Sequence, residues 1–362
     1  MKLGYLCHHR LLVNGGPGGR AVGLLTAFAR PGHEVHVRAD AVPDGLDVVC
    51  HSPDEDGLAS MADAIDVCIV RLDGKCHAER LAEHIHARRP ELPIIFEIHS
   101  PLEEQLVYPY SDADADTPEG RAEWIARGNK IRSRLADVCA GAVCGSANMA
   151  RYARQALGIE RTLVSPNSAN PSRFPSTPRP AGRFTAFWTG AAVYPWQGVD
   201  LVVEAARRAP DMGFLIAATT PEGVPQRLPD NVETVFGTPS ANMPALYARV
   251  HAALVLYHEV PHSAWGFYGS PLKLYEALAA GVPIVGSDRG QIPATIGAAG
   301  CGIVVDDDVD AVLAALGVLA ADPDRAQAMG RAARAYAETH TWDNAAADII
   351  AFCHAARGLL VT

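Results

Sequence analysis

The sequence predicts an α/β protein made of two parallel-sheet domains of similar size, and three observations support this. Short apolar runs of strand type alternate with helical stretches along the chain, which is the pattern of parallel sheets covered by helices. A length of 362 residues is too long for one typical domain and suits two. Between two series of strands lies the segment 165–182, whose proline, serine and asparagine content is typical of an interdomain connection.

Each half of the chain contains its own series of predicted strands. The first half has apolar runs of strand length at 2–7, 34–38, 48–50, 66–70, 94–98, 140–144 and 162–164. The second half has them at 184–189, 214–218, 232–236, 253–256, 283–286 and 302–304. Helical runs separate the strands, for example at 20–29, 78–87 and 121–136.

The two predicted domains are expected to face each other across a cleft. The division places a first domain at 1–166, a hinge at 167–182, a second domain at 183–342 and a final helix at 343–362. We expect this last helix to cross back and pack on the first domain. Ligands of open parallel sheets lie beyond the carboxyl ends of the strands, so the expected binding site is the cleft between the two sheets.

Composition and charge exclude several classes of function. The chain has 31 basic and 41 acidic residues, and the resulting formal charge of −10 argues against a nucleic-acid partner. Its eight cysteines include no CxxC pair, which is typical of free thiols in a reducing cytosol. No apolar run reaches the ~18 residues that span a bilayer, so we expect a soluble, cytoplasmic protein. The basic stretch 121–134 is interpreted as a solvated helix face, with an anionic acceptor or membrane surface as the alternative.

The most informative segment is 265–288, with the sequence WGFYGSPLKLYEALAAGVPIVGSD. Ser270 is predicted to cap a helix and Pro271 to occupy its first position, where a missing N–H costs nothing. The free N–H groups and the positive end of the helix dipole form a natural site for a phosphate or diphosphate. Lys273 lies in the first turn, and Glu276 further along can accept hydrogen bonds from ribose hydroxyls. The segment therefore predicts a nucleoside diphosphate site.

A glycine-rich run, NGGPGGR at 14–20, follows the first predicted strand and precedes the first helix. Its glycines allow close backbone approach to an anion or a sugar. The run is not GxGxxG, so a dinucleotide site is not indicated, and an ordinary strand-to-helix turn is the alternative. The candidate residues on this side of the cleft are Gly15, Gly16, Gly18, Gly19 and Arg20.

A second glycine-bearing loop, 189–200, follows the first strand of the second half and is expected to face the same cleft. It contains Gly190 and Gln197. Gln197 offers a neutral donor to a phosphate, which is weaker than a charged one. Lys273 is therefore the candidate for the cation, with a bare surface lysine as the alternative.

His99 comes directly after the apolar strand 94–98, where a polar group facing the cleft is expected. Its imidazole could bind a sugar hydroxyl or position an acceptor; the alternative is a capping histidine without a ligand. The segment 111–118, SDADADTP, contains a DxD pattern but no flanking strand. We interpret it as a solvated acidic loop and expect no metal site.

Several segments, in order, resemble glycosyltransferase family 4, whose members have the GT-B fold of two Rossmann-like domains. The first half resembles the family at NGGPGGRAVGLLTAFARPGHEVHV, IFEIHSPLEEQ and VCGSANMARYARQALGIERTLVSPNSANPSRF. The second half resembles it at FWTGAAVYPWQGVDLVVEAA, NVETVFGTPSANMPALYARVHAALVLYHE and SPLKLYEALAAGVPIVGSDRGQIPATI. The last three segments are the most specific, because their order and spacing rarely recur together by chance.

The resemblance implies a retaining, metal-independent transferase that uses a nucleoside diphosphate sugar as its substrate and needs no cofactor. The diphosphate would lie against Gly190, Ser270, Pro271 and Leu272. Glu276 would bind the ribose and His99 would approach the donor sugar, which makes these two the predicted catalytic residues. Departing diphosphate would be stabilised electrostatically and would itself take the acceptor proton. The implied acceptor is a small molecule, a glycan or a lipid-linked sugar.

The chain also departs from the family pattern. The family often has two glutamates eight positions apart, and the partner position of Glu276 holds Tyr268. An arginine and a lysine of the Gly190 loop are missing, and the hinge, commonly PNGVD, is PNSAN at 166–170. A sub-pattern with SPLKL occurs in some family members and favours an active enzyme. The alternatives are an epimerase or hydrolase acting on a nucleotide sugar, or a non-catalytic nucleotide- or sugar-binding protein.

Overall fold

The computed structural model describes residues 1–7, 11, 16–30, 32–102, 117–175, 180–259 and 264–360. Two parts of the sequence predictions lie outside these ranges. They are residues 14 and 15 of the glycine-rich run and the acidic residues 111–116, and residues 176–179 of the predicted hinge and 361–362 of the predicted final helix lie outside them as well.

In the described residues the first domain contains one parallel sheet of seven strands. The strands are β1 (Lys2–Leu6), β2 (Glu34–Arg38), β3 (Val49–Cys50), β4 (Val67–Arg71), β5 (Ile94–Ile98), β6 (Cys139–Cys144) and β7 (Thr162–Val164). Their order in the sheet is β3-β2-β1-β4-β5-β6-β7. The central strands β4 and β5 are buried along their whole length, as their mainly apolar sequences predict, and each also buries one charged residue, Arg71 and Glu97.

Helices cover this sheet, and polar caps mark where several of them begin. They are α1 (Gly16–Phe28), α2 (Glu55–Ala64), α3 (His77–Arg88), α4 (Pro118–Arg134) and α5 (Ala147–Leu157). Asp54, Thr117 and Ser146 cap α2, α4 and α5, each accepting a backbone N–H with its side-chain oxygen. The prediction that the basic stretch 121–134 is a solvated helix face is wrong for Arg132. This side chain is fully buried and pairs with Glu79 at 2.8 Å.

The second domain repeats the architecture with six parallel strands in its described part. The strands are β8 (Thr185–Gly190), β9 (Gly213–Ala218), β10 (Val232–Phe236), β11 (Ala252–Val255), β12 (Ile284–Ser287) and β13 (Gly302–Val305). The helices are α6 (Val199–Arg208), α7 (Met243–Tyr247), α8 (Leu272–Ala280), α9 (Ile292–Ala299), α10 (Val309–Ala321), α11 (Pro323–Thr339) and α12 (Trp342–Leu360). Within the described chain, none of the helices combines the length and apolar character needed to cross a membrane.

The strand order of the second sheet, β10-β9-β8-β11-β12-β13, repeats that of the first, and all pairings in both sheets are parallel. In each sheet the order reverses beside its first strand, between β1 and β4 and between β8 and β11. Such switch points leave a crevice at the carboxyl ends of the strands, where ligands bind. The predicted fold class of two Rossmann-like parallel-sheet domains is confirmed.

The C-terminal helix α12 returns to the first domain, as predicted, and begins at Trp342. The indole of Trp342 lies so close to α1 that a Cβ on Gly23 would stand 2.5 Å from it. Further along, Cys353 and Ala356 are buried in the core cluster that contains β1 and α1. Thr341 and Asn344 exchange hydrogen bonds across the first turn, which holds the start of the helix in place.

A buried charge network joins the central strands of the first sheet just below the cleft. Glu97 of β5 binds Arg20 of α1 at 2.7 Å and Arg71 of β4 at 3.0 Å, and Tyr5 of β1 donates to it as well. All four side chains are nearly inaccessible to solvent. Burial alone would raise the pKa of Glu97, but Arg71 and Arg20 outweigh it and hold the pKa below its usual range.

We predict that Glu97→Ala destabilises the first domain by about 3–5 kcal/mol, because it leaves two buried guanidinium groups without their carboxylate. The measurement is urea unfolding of both proteins near neutral pH. The control is Glu233→Ala, whose exposed pair with Arg249 should contribute less than about 1 kcal/mol. Equal costs for the two variants would contradict a structural role for the network.

Candidate nucleotide-binding site

The start of α8 lies at the carboxyl edge of the second sheet, where the sequence placed the phosphate site. The helix begins at Leu272 with Pro271 as its N-cap, one residue later than predicted. Ser270 therefore does not cap the helix, and its hydroxyl instead accepts a hydrogen bond from the backbone N–H of Asn167 at 2.7 Å. The first N–H groups of any α-helix have no partner within the helix, so those of α8 remain suited to an anion.

Lys273 is the charged group of this site, and it is buried with only 7% of its surface exposed. Its Nζ lies 4.5 Å from the ring centre of Trp188 and 4.7 Å from that of Tyr257. It also donates to Gln197 Oε1 at 3.2 Å. Within the described residues no carboxylate pairs with this ammonium, and burial lowers its pKa to about 7. The alternative of a bare surface lysine is therefore wrong.

Gly190 ends β8 directly beside this ammonium. A Cβ at position 190 would stand 2.3 Å from Gln197 Oε1 and 3.0 Å from Lys273 Nζ, so only glycine fits without rearrangement. Trp188 Nε1 donates to Gln197 O at 2.9 Å, which fixes the loop on the strand that carries Gly190. The structure thus brings together Gly190, Gln197 and Lys273, three residues that the sequence analysis named separately.

Glu276 lies one turn after Lys273 on the same helix and is partly buried. Tyr247 of α7 donates to its Oε2 at 3.5 Å and to the carbonyl of Lys273 at 3.3 Å. Burial raises the pKa of Glu276, and the nearby Arg173 and the Tyr247 hydroxyl oppose that shift. Sequence reasoning did not find Tyr247 or Arg173, because neither belongs to the segments that predict phosphate binding.

The first domain forms the side of the cleft that faces the start of α8. His99 follows β5 and is partly buried. The end of β5 lies beside the start of α8, since a Cβ on Gly145 would stand 4.0 Å from Ile98 O and 3.9 Å from Ser270 Cβ. The predicted catalytic histidine and the predicted phosphate site are therefore on facing parts of the two domains.

The remaining first-domain candidates occupy positions different from those expected. Gly16, Gly18 and Gly19 belong to the first turn of α1 rather than to a loop, because the helix begins at Gly16. Arg20 is 3% exposed and is committed to Glu97 and to the carbonyl of Pro166 at 3.0 Å. It lies beneath the cleft as a structural cation.

Tyr268, at the position of the family's first glutamate, lies away from the phosphate site. It is 5% exposed and packs in the core cluster of the first domain. Ser146 and Asn148, at the start of α5, donate to the carbonyls of Tyr268 and Phe267 at 2.7 and 2.8 Å. The loop before α8 is therefore part of the interface between the domains. Among the described residues, no group of three or more His, Cys, Asp and Glu side chains could hold a metal ion.

A family model described as glycosyl transferase-like matches residues 199–351, which include α8 and the predicted phosphate site. The matched residues, 199–351, are thus similar to a glycosyl transferase-like domain. The resemblance to glycosyltransferases stated from the sequence is confirmed.

The chain also has curated relatives. A GDP-mannose-dependent alpha-(1-6)-phosphatidylinositol monomannoside mannosyltransferase of Mycolicibacterium smegmatis is 35% identical over 159 residues, which are 40% of each chain. The enzyme of the same description from Mycobacterium tuberculosis is 34% identical over 129 residues, 34% of this chain and 32% of that one. The matches thus span less than half the length of these curated relatives.

Solved structures share the fold over nearly the whole chain. Anabaena HepE in complex with UDP and glucose has a TM-score of 0.70 at 14% identity, covering 97% of this chain and 99% of that one. Sucrose-phosphate synthase from Thermosynechococcus elongatus has a TM-score of 0.69 at 15% identity, covering 96% and 97%. The two parallel-sheet domains therefore have the GT-B fold.

We predict that Lys273→Met makes the protein more stable near pH 7, because it removes an unpaired buried charge. The folded-state pKa of Lys273 is about 7, below the ordinary lysine value, so the unfolded chain binds more protons between the two values. Wild-type stability should therefore rise with pH across that range, and the advantage of the methionine variant should shrink.

Chemical denaturation at pH 7 and pH 9.5 measures this difference. The control is Lys130→Met on the exposed side of α4, which should change stability by less than about 0.5 kcal/mol at either pH. A Lys273→Met protein that is less stable than wild type at pH 7 would show that the ammonium has a partner that stabilises it.

Proposed function

We propose that the chain is a retaining glycosyltransferase that moves a sugar from a nucleoside diphosphate sugar to an acceptor without a metal ion. The observation that carries this proposal is Lys273, a buried cation at the N-terminus of α8 that pairs with no carboxylate among the described residues. A buried charge is costly unless something neutralises it, and a diphosphate in this position would do so. The glycosyl transferase-like domain and the GT-B neighbours support the same class of reaction.

The proposed diphosphate site combines three kinds of donor. The first N–H groups of α8 point along the helix dipole, Lys273 supplies the charge, and the Gln197 amide adds a neutral donor. Gly190 leaves room beside the ammonium. Negative charge grows on the diphosphate as the bond to the sugar breaks, so donors fixed before the reaction stabilise the transition state.

Glu276 is proposed to bind the ribose of the donor. It lies on the same helix as Lys273, one turn further from the helix start, and Tyr247 holds its carboxylate. A carboxylate accepts hydrogen bonds from two vicinal hydroxyls, which is the geometry that a ribose offers. The adenine, guanine or uracil base would then lie beyond Glu276, toward α7.

For the sugar-transfer step we propose that the leaving diphosphate takes the proton of the acceptor hydroxyl on the same face of the sugar. This accounts for retention without a protein base. His99 would stand on the opposite wall and bind the donor sugar. The names of the mycobacterial relatives make GDP-mannose the first donor to test, and the UDP complexes of HepE make UDP-glucose the second.

A non-catalytic nucleotide-binding protein is the second candidate. The specific observation in its favour is Tyr268, which is buried in the first domain where many family members have a glutamate. A nucleotide sugar epimerase or hydrolase would use the same donor site. Donor consumption without any acceptor would indicate one of these two enzymes.

We expect one class of nucleoside diphosphate to raise the melting temperature clearly in a panel of GDP, UDP, ADP, dTDP and CDP. A ligand present at 100 times its Kd adds roughly 2.7 kcal/mol of stability, which is easily measured. The matched sugar conjugates then identify the donor. If no nucleotide shifts the transition, the proposed donor site is wrong.

We also expect Glu276→Ala to reduce turnover by well over tenfold while leaving the fold intact, because the ribose loses its acceptor. Turnover is measured with the donor found above, and circular dichroism checks the fold. Glu204→Ala, on the exposed face of α6, is the matched control and should keep full activity. Full activity of the Glu276 variant would remove the ribose-binding role.

A further inference from the structure

Asn167 forms a direct hydrogen-bonded link between the hinge and the diphosphate loop of the second domain. Its backbone N–H donates to Ser270 Oγ at 2.7 Å, and its side-chain Nδ2 donates to the carbonyl of Ser270. Both acceptor groups of Ser270 are thus held by one residue. Ser270 lies two positions before α8, so its peptide groups set where the free N–H groups of that helix begin.

The same asparagine is held from the first domain. Its Oδ1 accepts from Arg20 Nη1 at 3.3 Å, and this nitrogen also donates to the carbonyl of Pro166 at 3.0 Å. Arg20 is in turn paired with Glu97 at 2.7 Å. A continuous path therefore runs from β5 through Arg20 and Asn167 to Ser270.

The chemistry of the path requires an asparagine at this position. Its amide oxygen faces a cation and its amide nitrogen faces a carbonyl oxygen, so each end of the group meets the partner it needs. Aspartate would keep the acceptor for Arg20 but lose the donor for Ser270. The two functions of the side chain can therefore be separated by substitution.

We propose that Asn167 is a positioning residue, which holds the diphosphate loop in its binding conformation only while the two domains are docked. This rests on the proposed donor site. Through Ser270, the docked first domain fixes the backbone at the start of α8, where the N–H groups must point at the diphosphate. Donor binding and domain docking are then coupled, since misplacing fixed donors by as little as 1 Å can cost about 100-fold in rate.

The test compares Asn167→Ala and Asn167→Asp with the control Asn170→Ala. Asn170 lies three residues further along the hinge, and its side chain accepts from Ser172 within its own turn. Two quantities are measured: nucleotide affinity by calorimetry, and amide hydrogen exchange of the segment 264–274 without any ligand. We expect both Asn167 variants to bind nucleotide at least tenfold more weakly and to exchange faster in this segment, and the control to match wild type.

The two readouts separate this proposal from the proposed function. Unchanged exchange in both Asn167 variants would overturn the link itself, whether or not the protein binds a nucleotide. Faster exchange with wild-type affinity would overturn the positioning role. If wild type binds no nucleotide, the proposed function fails, and exchange still decides whether Asn167 holds the loop. If Asn167→Ala binds nucleotide more weakly but Asn167→Asp binds it as tightly as wild type, the contact with Arg20, and not the contact with Ser270, is the one that supports nucleotide binding.

Discussion

A single buried carboxylate, Glu97, organises the first domain and its connection to the second. It forms ion pairs with both Arg20 and Arg71 and accepts a hydrogen bond from Tyr5, so it ties α1, β4 and β1 to β5 at the floor of the cleft. Removing such a group leaves charges that water cannot reach, which is why buried networks tolerate few substitutions. The start of the hinge depends on this anchor, because Arg20 also donates to the carbonyl of Pro166 and to Asn167 Oδ1.

The two domains treat their buried cations in opposite ways. Arg20 and Arg71 share the carboxylate of Glu97, whereas Lys273 contacts two aromatic rings and one neutral amide. Aromatic faces attract an ammonium but do not neutralise it. A buried ammonium without a counter-charge destabilises the fold, so such a group is often found at functional sites. An anion bound at the first turn of α8 would supply the counter-charge for Lys273.

The loop before α8 belongs to the second domain by sequence and to the interface by packing. Tyr268 is buried among first-domain side chains, and Ser146 and Asn148 bind the carbonyls of Tyr268 and Phe267. Asn167 holds the next part of this loop at Ser270. Because this loop touches the opposite domain and leads into the proposed diphosphate site, its contacts could couple domain docking to ligand binding.

The sequence by itself determined the two parallel-sheet domains, the returning helix and the presence of a helix that begins next to Pro271, because these depend on local periodicity and on helix-end chemistry. Residues far apart in the chain decided the rest. Only the tertiary structure shows that Lys273 is buried beside Gly190, that Tyr268 faces the other domain, and that Arg20 lies beneath the cleft. Burial and pairing arise from contacts between distant segments, and no local pattern carries that information.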